Sequence, residues 1–360
     1  MKANGKNCRD AEYWSVGEDG VVVCGLCPHH CHLREGRDGL CKVRGVRDGR
    51  LKALGYGVIS SAHIDPVEKK PLYHFHPGAP VYSIGGWGCN FGCVFCQNWS
   101  ISQRMEYHGT MHLPGELIPK AAETGCELIA YTYNEPLVGF EFVRDCCVLA
   151  RERRLKNILV TNGYIAPVPA KELLPLVDAL NVDIKSMSED FYRRQCKGSL
   201  APVLEFTRMA RETGCHVEIT NLVIPGLNDG DEAFETLARW IAGTLDERVP
   251  LHLSAYHPDY KASFPATPPS LLIRAATLCR RFLKYVYIGN VMLGEGQATI
   301  CPGCGHPLIA REGYQIYAEG IRNGECRHCG RKADVIGPAP YSSSGSGTAA
   351  GSVFRPERRR

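Results

Sequence analysis

The chain has 360 residues, of which 44% are hydrophobic and 22% are charged, as is ordinary for a globular protein. Its formal net charge is only +4, and part of that excess lies in the C-terminal "RPERRR", so charge does not indicate a nucleic-acid partner. The N-terminus lacks the apolar core of a secretory signal, and there is no apolar run long enough for a membrane span. We therefore expect a cytoplasmic protein.

The 18 cysteines are the most informative part of the composition. In a chain without an export signal they indicate metal or redox chemistry rather than disulfides. Most of them fall into three tight clusters. We expect the scattered ones to be small buried hydrophobic residues; they are Cys8, Cys126, Cys146, Cys147, Cys196, Cys215 and Cys279.

The first cluster lies in "CGLCPHHCHLREGRDGLC", within a predicted N-terminal metal-binding segment (1–55). Its four thiols suit either zinc or a [4Fe–4S] cluster. The neighbouring histidines are expected to face solvent or to lie behind the ligands. The four predicted ligands are Cys24, Cys27, Cys31 and Cys41.

The region 56–295 alternates strand and helix patterns. Seven apolar, β-branched runs predict strands buried on both faces, as in a parallel sheet, and the gaps between them are long enough for crossover helices. The runs are 81–85, 126–133, 156–162, 179–185, 216–225, 250–257 and 285–291. We predict an α/β fold with a partial (βα)6-type TIM barrel, and a doubly wound open sheet is the alternative. In both, a site belongs at the carboxyl ends of the strands.

The second cluster follows the first parallel strand in "GCNFGCVFCQNWS", a C-x3-C-x2-C array of Cys89, Cys93 and Cys96. Three thiolates can hold three irons of a [4Fe–4S] cluster and leave the fourth iron open for a substrate. The alternative is a zinc site completed by a distant ligand such as His74 or His76. These histidines belong to "DPVEKKPLYHFHPG" (65–78), which is either a cavity lining or a surface loop.

The third cluster forms two C-x2-C pairs in a predicted zinc-ribbon-like module (296–337). The sequence between the pairs predicts a short hairpin, and the thiols predict a four-thiolate zinc site, with an auxiliary iron–sulfur cluster as the alternative. The four cysteines are Cys301, Cys304, Cys326 and Cys329. The Ser/Gly-rich and basic tail (338–360) is predicted to be disordered.

The C-x3-C-x2-C array after a barrel strand resembles the radical S-adenosylmethionine (SAM) superfamily. That resemblance implies a catalytic [4Fe–4S] cluster on Cys89, Cys93 and Cys96. It also implies SAM as a cofactor, chelated to the open iron and cleaved to a 5′-deoxyadenosyl radical. "TYNEP" (132–136) stands where the family has a Gly-Gly-Glu-Pro turn, with Tyr133 and Asn134 in place of the glycines.

Further SAM contacts are implied by polar residues after the other strands. "DIK" (183–185) is similar to the Asp-x-Lys of glycyl-radical activases, whose Lys lies near the SAM carboxylate, and His257 is expected near the ribose. Phe95, before the third cysteine, is expected near the adenine. The full set of expected SAM neighbours is Phe95, Gln97, Asn134, Glu135, Asn162, Asp183, Lys185 and His257.

Within the superfamily, the motifs "CGLCPHHCHLREGRDGLCKVR", "DPVEKKPLYHFHPG", "LVIPGLND" and "YVYIGNV" resemble the AmmeMemoRadiSam system enzymes, relatives of pyruvate formate-lyase activating enzymes. The resemblance runs from about residue 20 to 337. It implies hydrogen abstraction from a partner protein, as in glycyl-radical activation, or from a small molecule or peptide. A flavodoxin or ferredoxin would be the low-potential electron donor.

Two other functional classes would explain parts of the sequence. A zinc-ribbon nucleic-acid-binding protein would explain the outer clusters and the basic tail, but the folded body is nearly neutral and lacks clustered Lys and Arg interleaved with aromatic residues. A ferredoxin-like electron carrier would need four ligands for each cubane, which the second cluster does not supply. Nucleic acid and membrane partners are therefore not expected.

Overall fold

The computed structural model describes residues 9–104, 110–293 and 296–337. Cys8 and the tail predicted to be disordered (338–360) lie outside these residues. Among the helices in the described part of the chain, none is long and apolar enough to cross a membrane. Location in the cytoplasm stays a prediction.

The N-terminal segment consists of short antiparallel strands. β1, β6 and β5 form one small sheet, and β2, β3 and β4 form another. Their bounds are β1 Arg9–Asp10, β2 Trp14–Val16, β3 Val22–Cys24, β4 His32–Leu33, β5 Arg44–Arg47, β6 Arg50–Ala53 and β7 Val58–Ile59. Between them run the turns that carry the first cysteine cluster.

A central eight-stranded sheet forms the core. Its order is β16-β15-β14-β13-β12-β11-β9-β8, in which β8 is antiparallel to β9 and all other pairs are parallel. The bounds are β8 Ser61–Pro66, β9 Pro80–Gly85, β10 Thr110–Met111 (paired with β7), β11 Leu128–Tyr131, β12 Lys156–Thr161, β13 Ala179–Asp183, β14 His216–Val223, β15 Leu251–Ala255 and β16 Val286–Gly289.

Helices connect consecutive parallel strands of this sheet. Their bounds are α1 Trp99–Ser102, α2 Pro114–Glu123, α3 Phe140–Glu152, α4 Pro167–Leu173, α5 Glu189–Phe191, α6 Ala201–Glu212, α7 Asp231–Trp240 and α8 Pro269–Cys279. The longer ones bury an apolar face against the strands; in α3 the buried residues include both adjacent cysteines, Cys146 and Cys147.

All seven predicted strands are present, and the α/β class is confirmed. The prediction missed β8, whose sequence "SAHIDP" is too polar to read as a core strand, so the sheet is mixed rather than wholly parallel. From β9 to β16 the strand order follows the chain in one direction. A doubly wound sheet would reverse its order at a switch point, so that alternative is wrong.

The C-terminal part of the described chain contains a three-stranded antiparallel sheet and a two-stranded hairpin. β18 pairs with β17 and β19, and β20 pairs with β21. The bounds are β17 Thr299–Ile300, β18 Pro307–Glu312, β19 Gln315–Tyr317, β20 Ile321–Arg322 and β21 Glu325–Cys326. The hairpin predicted between the two C-x2-C pairs is therefore observed.

The segment 67–79 closes the amino ends of the parallel strands, opposite the end where a site is expected. It is anchored by the fully buried Glu218 of β14, which accepts hydrogen bonds from the backbone amides of Tyr73 (3.0 Å) and His74 (2.8 Å). The imidazoles of His216 and His252 lie 2.9 and 2.6 Å from the same carboxylate. This segment is therefore neither a lining of the carboxyl-end cavity nor a free surface loop.

The C-terminal module packs on the same segment through Arg311 of β18. The guanidinium of Arg311 donates to the carbonyl oxygen of Tyr73 (2.8 Å) and lies over its ring, 4.1 Å from the centroid. Arg311 Nε also lies 3.7 Å from the buried carboxylate of Glu68. The module is thus held to the body of the protein by buried polar contacts.

We expect Glu218→Gln to destabilise the protein, because the amide keeps only one acceptor oxygen and turns an NH2 donor toward groups that donate to the carboxylate. Although burial acts to raise the pKa of Glu218, the contacts with His216 and His252 hold that pKa well below the ordinary value of 4.5. The stabilisation is therefore complete above that value and is lost as the pH falls further. The loss in unfolding free energy should be about 3 kcal/mol at neutral pH and smaller in acid, as measured by urea unfolding.

The exposed Glu123 of α2 supplies the matched control, since Glu123→Gln leaves the buried network intact. Equal stability of Glu218→Gln and Glu123→Gln at neutral pH would contradict this account of the closure.

Candidate metal centre and cofactor site

Cys89, Cys93 and Cys96 lie on a tight loop directly after β9. Gly88 enters this loop with φ of +79°, and a Cβ at that position would lie 2.3 Å from the carbonyl oxygen of Cys41. Only glycine satisfies both the left-handed backbone and the close approach. The loop therefore packs directly on the N-terminal segment.

Two of the three thiols, those of Cys89 and Cys96, have hydrogen-bond donors beside them. The backbone amide of Phe91 lies 3.3 Å and the side-chain amide of Asn162 lies 3.7 Å from Cys89 Sγ. The hydroxyl of Ser102 lies 3.2 Å from Cys96 Sγ. N–H and O–H groups directed at sulfur favour thiolates, the form in which cysteine binds a metal. This environment fits a metal cluster on the three cysteines.

Burial raises the pKa of Cys89 well above its ordinary value, and the nearby carboxylate of Glu135 adds to the shift. A bound cation is therefore what would keep this thiol deprotonated at neutral pH. The donors around the sulfurs favour thiolates, whereas burial without a bound cation favours the neutral thiol.

A fourth cysteine, Cys196, contacts Cys93 through its side chain. Its backbone carbonyl accepts a hydrogen bond from the amide of Gly92 (2.8 Å), so the turn after α5 and the cysteine loop are paired. The scattered cysteines that the structure describes are all buried, as expected, but Cys196 is also part of the site. The sequence feature that could have identified Cys196 as part of the site is its position in the connection after β13, the fourth strand of the parallel series.

Glu135, after β11, is buried among donors from its own turn and from the end of β12. Its carboxylate accepts from the hydroxyl of Thr161 (2.7 Å) and from the amides of Asn162 (2.8 Å) and Leu137 (3.0 Å). Burial raises the pKa of Glu135 to about 7, although these hydrogen bonds act in the opposite direction. The carboxylate joins the loops after β11 and β12.

The two residues in place of the family's glycines are held by specific contacts. Tyr133 adopts the left-handed region at φ of 72°, where a glycine would meet no strain. Its hydroxyl contacts Asp65, which is also paired with Lys70 at 2.7 Å. The side chain of Asn134 bonds the backbone amide of Gly86 and the carbonyls that follow it, so it ties the two loops together.

Lys185 and Asp183 form an ion pair at the end of β13, with Nζ 2.9 Å from the carboxylate. Burial acts to lower the pKa of Lys185, but the charges of Asp183 and Cys93 outweigh it and raise that pKa. The backbone amide of Lys185 donates to the hydroxyl of Tyr192 (3.0 Å), which fixes the turn. A cation is thus positioned beside the cysteine loop.

The remaining predicted SAM neighbours lie at the same end of the sheet. Phe95 is buried against Phe191, with ring centroids 5.9 Å apart, and His257 is exposed after β15. Gln97 Nε2 is buried without a hydrogen-bond partner among the described residues. A buried, unused donor next to the third cysteine is consistent with a ligand that accepts from it.

The C-terminal cysteines form a compact group. Their sulfurs all lie within 4.8 Å of one another, and the Cys301–Cys329 and Cys304–Cys326 Sγ–Sγ distances are both 3.7 Å. Four sulfurs about 2.3 Å from one tetrahedral ion would be separated by about this distance. This group therefore fits a single metal ion.

Comparison with known proteins is consistent with this arrangement. A family model described as the radical SAM superfamily matches residues 84–241. An uncharacterized protein of Methanocaldococcus jannaschii is 42% identical over 336 residues, covering 91% of this chain and 99% of the relative. The pyruvate formate-lyase 1-activating enzyme of Escherichia coli is 25% identical over 184 residues, covering 47% of this chain and 73% of the relative.

The chain belongs to the radical SAM superfamily. Membership implies a [4Fe–4S] cluster and SAM as cofactors. Among solved structures, a radical SAM methyltransferase from Sphaerobacter thermophilus is similar, with a TM-score of 0.47, 20% identity and coverage of 59% of this chain and 67% of that one.

Proposed function

We propose that this radical SAM protein binds its catalytic [4Fe–4S] cluster through Cys89, Cys93 and Cys96, with the fourth iron open to SAM. The observation that carries the proposal is the ring of donors at the sulfurs of Cys89 and Cys96, at the carboxyl end of the sheet. When bound, the reduced cluster supplies the electron that cleaves SAM to methionine and a 5′-deoxyadenosyl radical. Hydrogen abstraction from a substrate would follow.

We infer different roles for the surrounding residues. Lys185 is a half-buried cation suited to the SAM carboxylate, and Gln97 offers an unused donor. Phe95 supplies an apolar surface for the adenine, and His257 is accessible at the rim. For these four residues the role of SAM neighbour stays a prediction.

The polar atoms of Asn134, Glu135 and Asn162 are already engaged within the protein. We propose that these three shape the loops around SAM, with any direct contact made by the backbone of the same turns. Asp183 is paired with Lys185, so it would position the lysine and accept from the SAM ammonium only at its free oxygen.

The sequential order of β9 to β16 supports a partial barrel, because crossovers of one hand place every helix on one side and curl the sheet. Kinship with activases supports a partner protein as substrate and a flavodoxin or ferredoxin as electron donor. The AmmeMemoRadiSam branch and a small-molecule or peptide substrate stay predictions from the sequence motifs.

For the C-terminal module we propose zinc, because the sulfur separations match a tetrahedral ion. A structural metal suits a module whose own apolar core is small.

Replacing the exposed Cys329 by Ser should remove about one zinc per chain, since a structural site needs four ligands. Metal analysis of the purified protein would measure this, with Cys126→Ser as the control for loss of an unrelated buried thiol. Iron lost in place of zinc would contradict the assignment.

Reductive SAM cleavage is the test of the main proposal. Anaerobically reconstituted and reduced protein should convert SAM to 5′-deoxyadenosine, and Cys93→Ala should abolish the product because the cluster loses a ligand. The matched control is Cys279→Ala in α8, a buried cysteine outside the site. It should keep the activity.

A cluster that is loaded and reducible, forms no product and shows no change of its EPR spectrum with SAM would overturn the proposal. Cleavage that persists in Cys93→Ala would equally exclude this triplet as the site.

A further inference from the structure

The four N-terminal cysteines line a single small cavity. Apart from the cysteines it is lined mainly by apolar side chains, such as Leu26, Leu33 and Val138. The cysteine side chains come from the end of β3, the turn after it and the turn before β5; they are Cys24, Cys27, Cys31 and Cys41. Four thiols around one apolar space are a complete ligand set for a soft metal centre.

The spacing of these thiols differs from that in the C-terminal module. There, all four sulfurs fall within 4.8 Å of one another, whereas the N-terminal set, like the catalytic triplet, does not meet that separation. A zinc ion draws four sulfurs to the corners of one small tetrahedron. A [4Fe–4S] cluster binds each thiolate on a different iron, so its sulfurs lie further apart and surround a volume.

A buried arginine faces the same cavity. Arg44 is 2% exposed, and its Nη atoms donate to the carboxylate of Glu141 (2.9 Å) and to the carbonyl of Glu12 (2.6 Å). Its Nε–H, however, has no hydrogen-bond partner among the described residues. A buried donor without a partner is costly, and a sulfur anion in the cavity would satisfy it.

We propose that Cys24, Cys27, Cys31 and Cys41 bind a second [4Fe–4S] cluster, with the Nε–H of Arg44 as a donor to one of its sulfurs. The three observations are independent: a four-thiol cavity, thiols that do not converge as those of the C-terminal module do, and an orphaned cationic donor. This cluster has a full set of cysteine ligands, so it carries electrons and does not bind SAM.

The two cysteine sites are in direct contact through the backbone. The carbonyl of Cys41 packs on Gly88, next to Cys89, and His29 Nε2 lies 2.7 Å from the carbonyl of Asn90. Asn90 lines the cavity and also accepts a hydrogen bond from the side chain of Asn162. A short path of backbone and hydrogen bonds therefore joins the N-terminal thiols to the catalytic loop.

We infer that the second cluster relays electrons to the catalytic one, a role that rests on the proposed function. A low-potential one-electron donor protein reduces the second cluster from the 2+ to the 1+ state. That electron then passes to the catalytic cluster, which goes from 2+ to 1+, and the second cluster returns to 2+. No bond is made or broken in this transfer.

The binding claim is tested in a variant that cannot form the catalytic cluster, with Cys89, Cys93 and Cys96 all changed to Ala. After anaerobic reconstitution it should retain about four irons and four sulfides per chain and show the EPR signal of a reduced cluster that SAM leaves unchanged. A variant that holds zinc and no iron at the N-terminal site would overturn the proposal.

Because the triple variant could misfold, the native chain is measured in parallel. It should hold about eight irons, and changing Cys27 and Cys31 to Ser should lower this to about four. Cys146→Ser is the control, since that buried thiol lies in α3, away from the cavity. About four irons in the native chain, unchanged in the Cys27/Cys31 variant, would also overturn it.

Arg44→Lys tests the orphaned donor, because it keeps a positive charge opposite Glu141 but removes the Nε–H. Redox titration followed by EPR should show a more negative midpoint potential for the second cluster, with the catalytic cluster unchanged. An unchanged second potential would exclude the hydrogen bond.

The relay is tested by comparing donors. In the Cys27/Cys31 variant, SAM cleavage driven by dithionite should persist while cleavage driven by reduced flavodoxin slows at least tenfold. Equal slowing, or none, would overturn the relay. Iron retained in the triple variant together with no SAM cleavage by the native chain would instead leave this cluster standing and reject the proposed function.

Discussion

The backbone at Gly88 lies close to the backbone at Cys41, and the relative positions of the first two cysteine clusters depend on this contact. A side chain there would meet the Cys41 carbonyl at 2.3 Å and a methyl of Val43 at 2.8 Å. The loop of Cys89 therefore packs directly on the N-terminal segment, with no room for a side chain between them. The residue that turns the chain toward three thiols also places the second set of four thiols beside them.

Around that contact, buried polar groups connect loops that are distant in sequence. Glu135 joins the loops after β11 and β12, and Asn134 joins the first of these to the turn after β9. The strained backbone of Tyr133 is held by Asp65 of β8, the edge strand. Since each loop is fixed by its neighbour, the cysteines are held in place before a metal binds, which reduces the ordering cost of cluster assembly.

Much of the fold could be predicted because strand periodicity is a local property of the sequence. Seven apolar runs matched strands, and the carboxyl-end rule placed Cys89, Lys185 and His257 at one edge. Features that depend on packing between segments distant in the sequence could not be predicted from periodicity. Glu218 closing the amino ends, the contact of Cys196 with Cys93 and the antiparallel β8 all depend on partners far away along the chain.

Metal identity shows the same limit, and the spatial arrangement of the thiols adds evidence that their spacing along the chain lacks. A C-x2-C pair occurs in both outer clusters, so spacing along the chain left zinc and iron–sulfur open for each. In space the two sets differ, because the sulfurs of Cys301 and Cys329 approach to 3.7 Å while the N-terminal thiols line a cavity with an unpaired arginine donor. A single ion needs its ligands to converge, whereas a cluster needs them to surround a volume and accept hydrogen bonds at its sulfurs. The C-terminal set converges on one point, and the N-terminal set lines a space beside the loop of Cys89; the two proposed metal assignments rest on this difference.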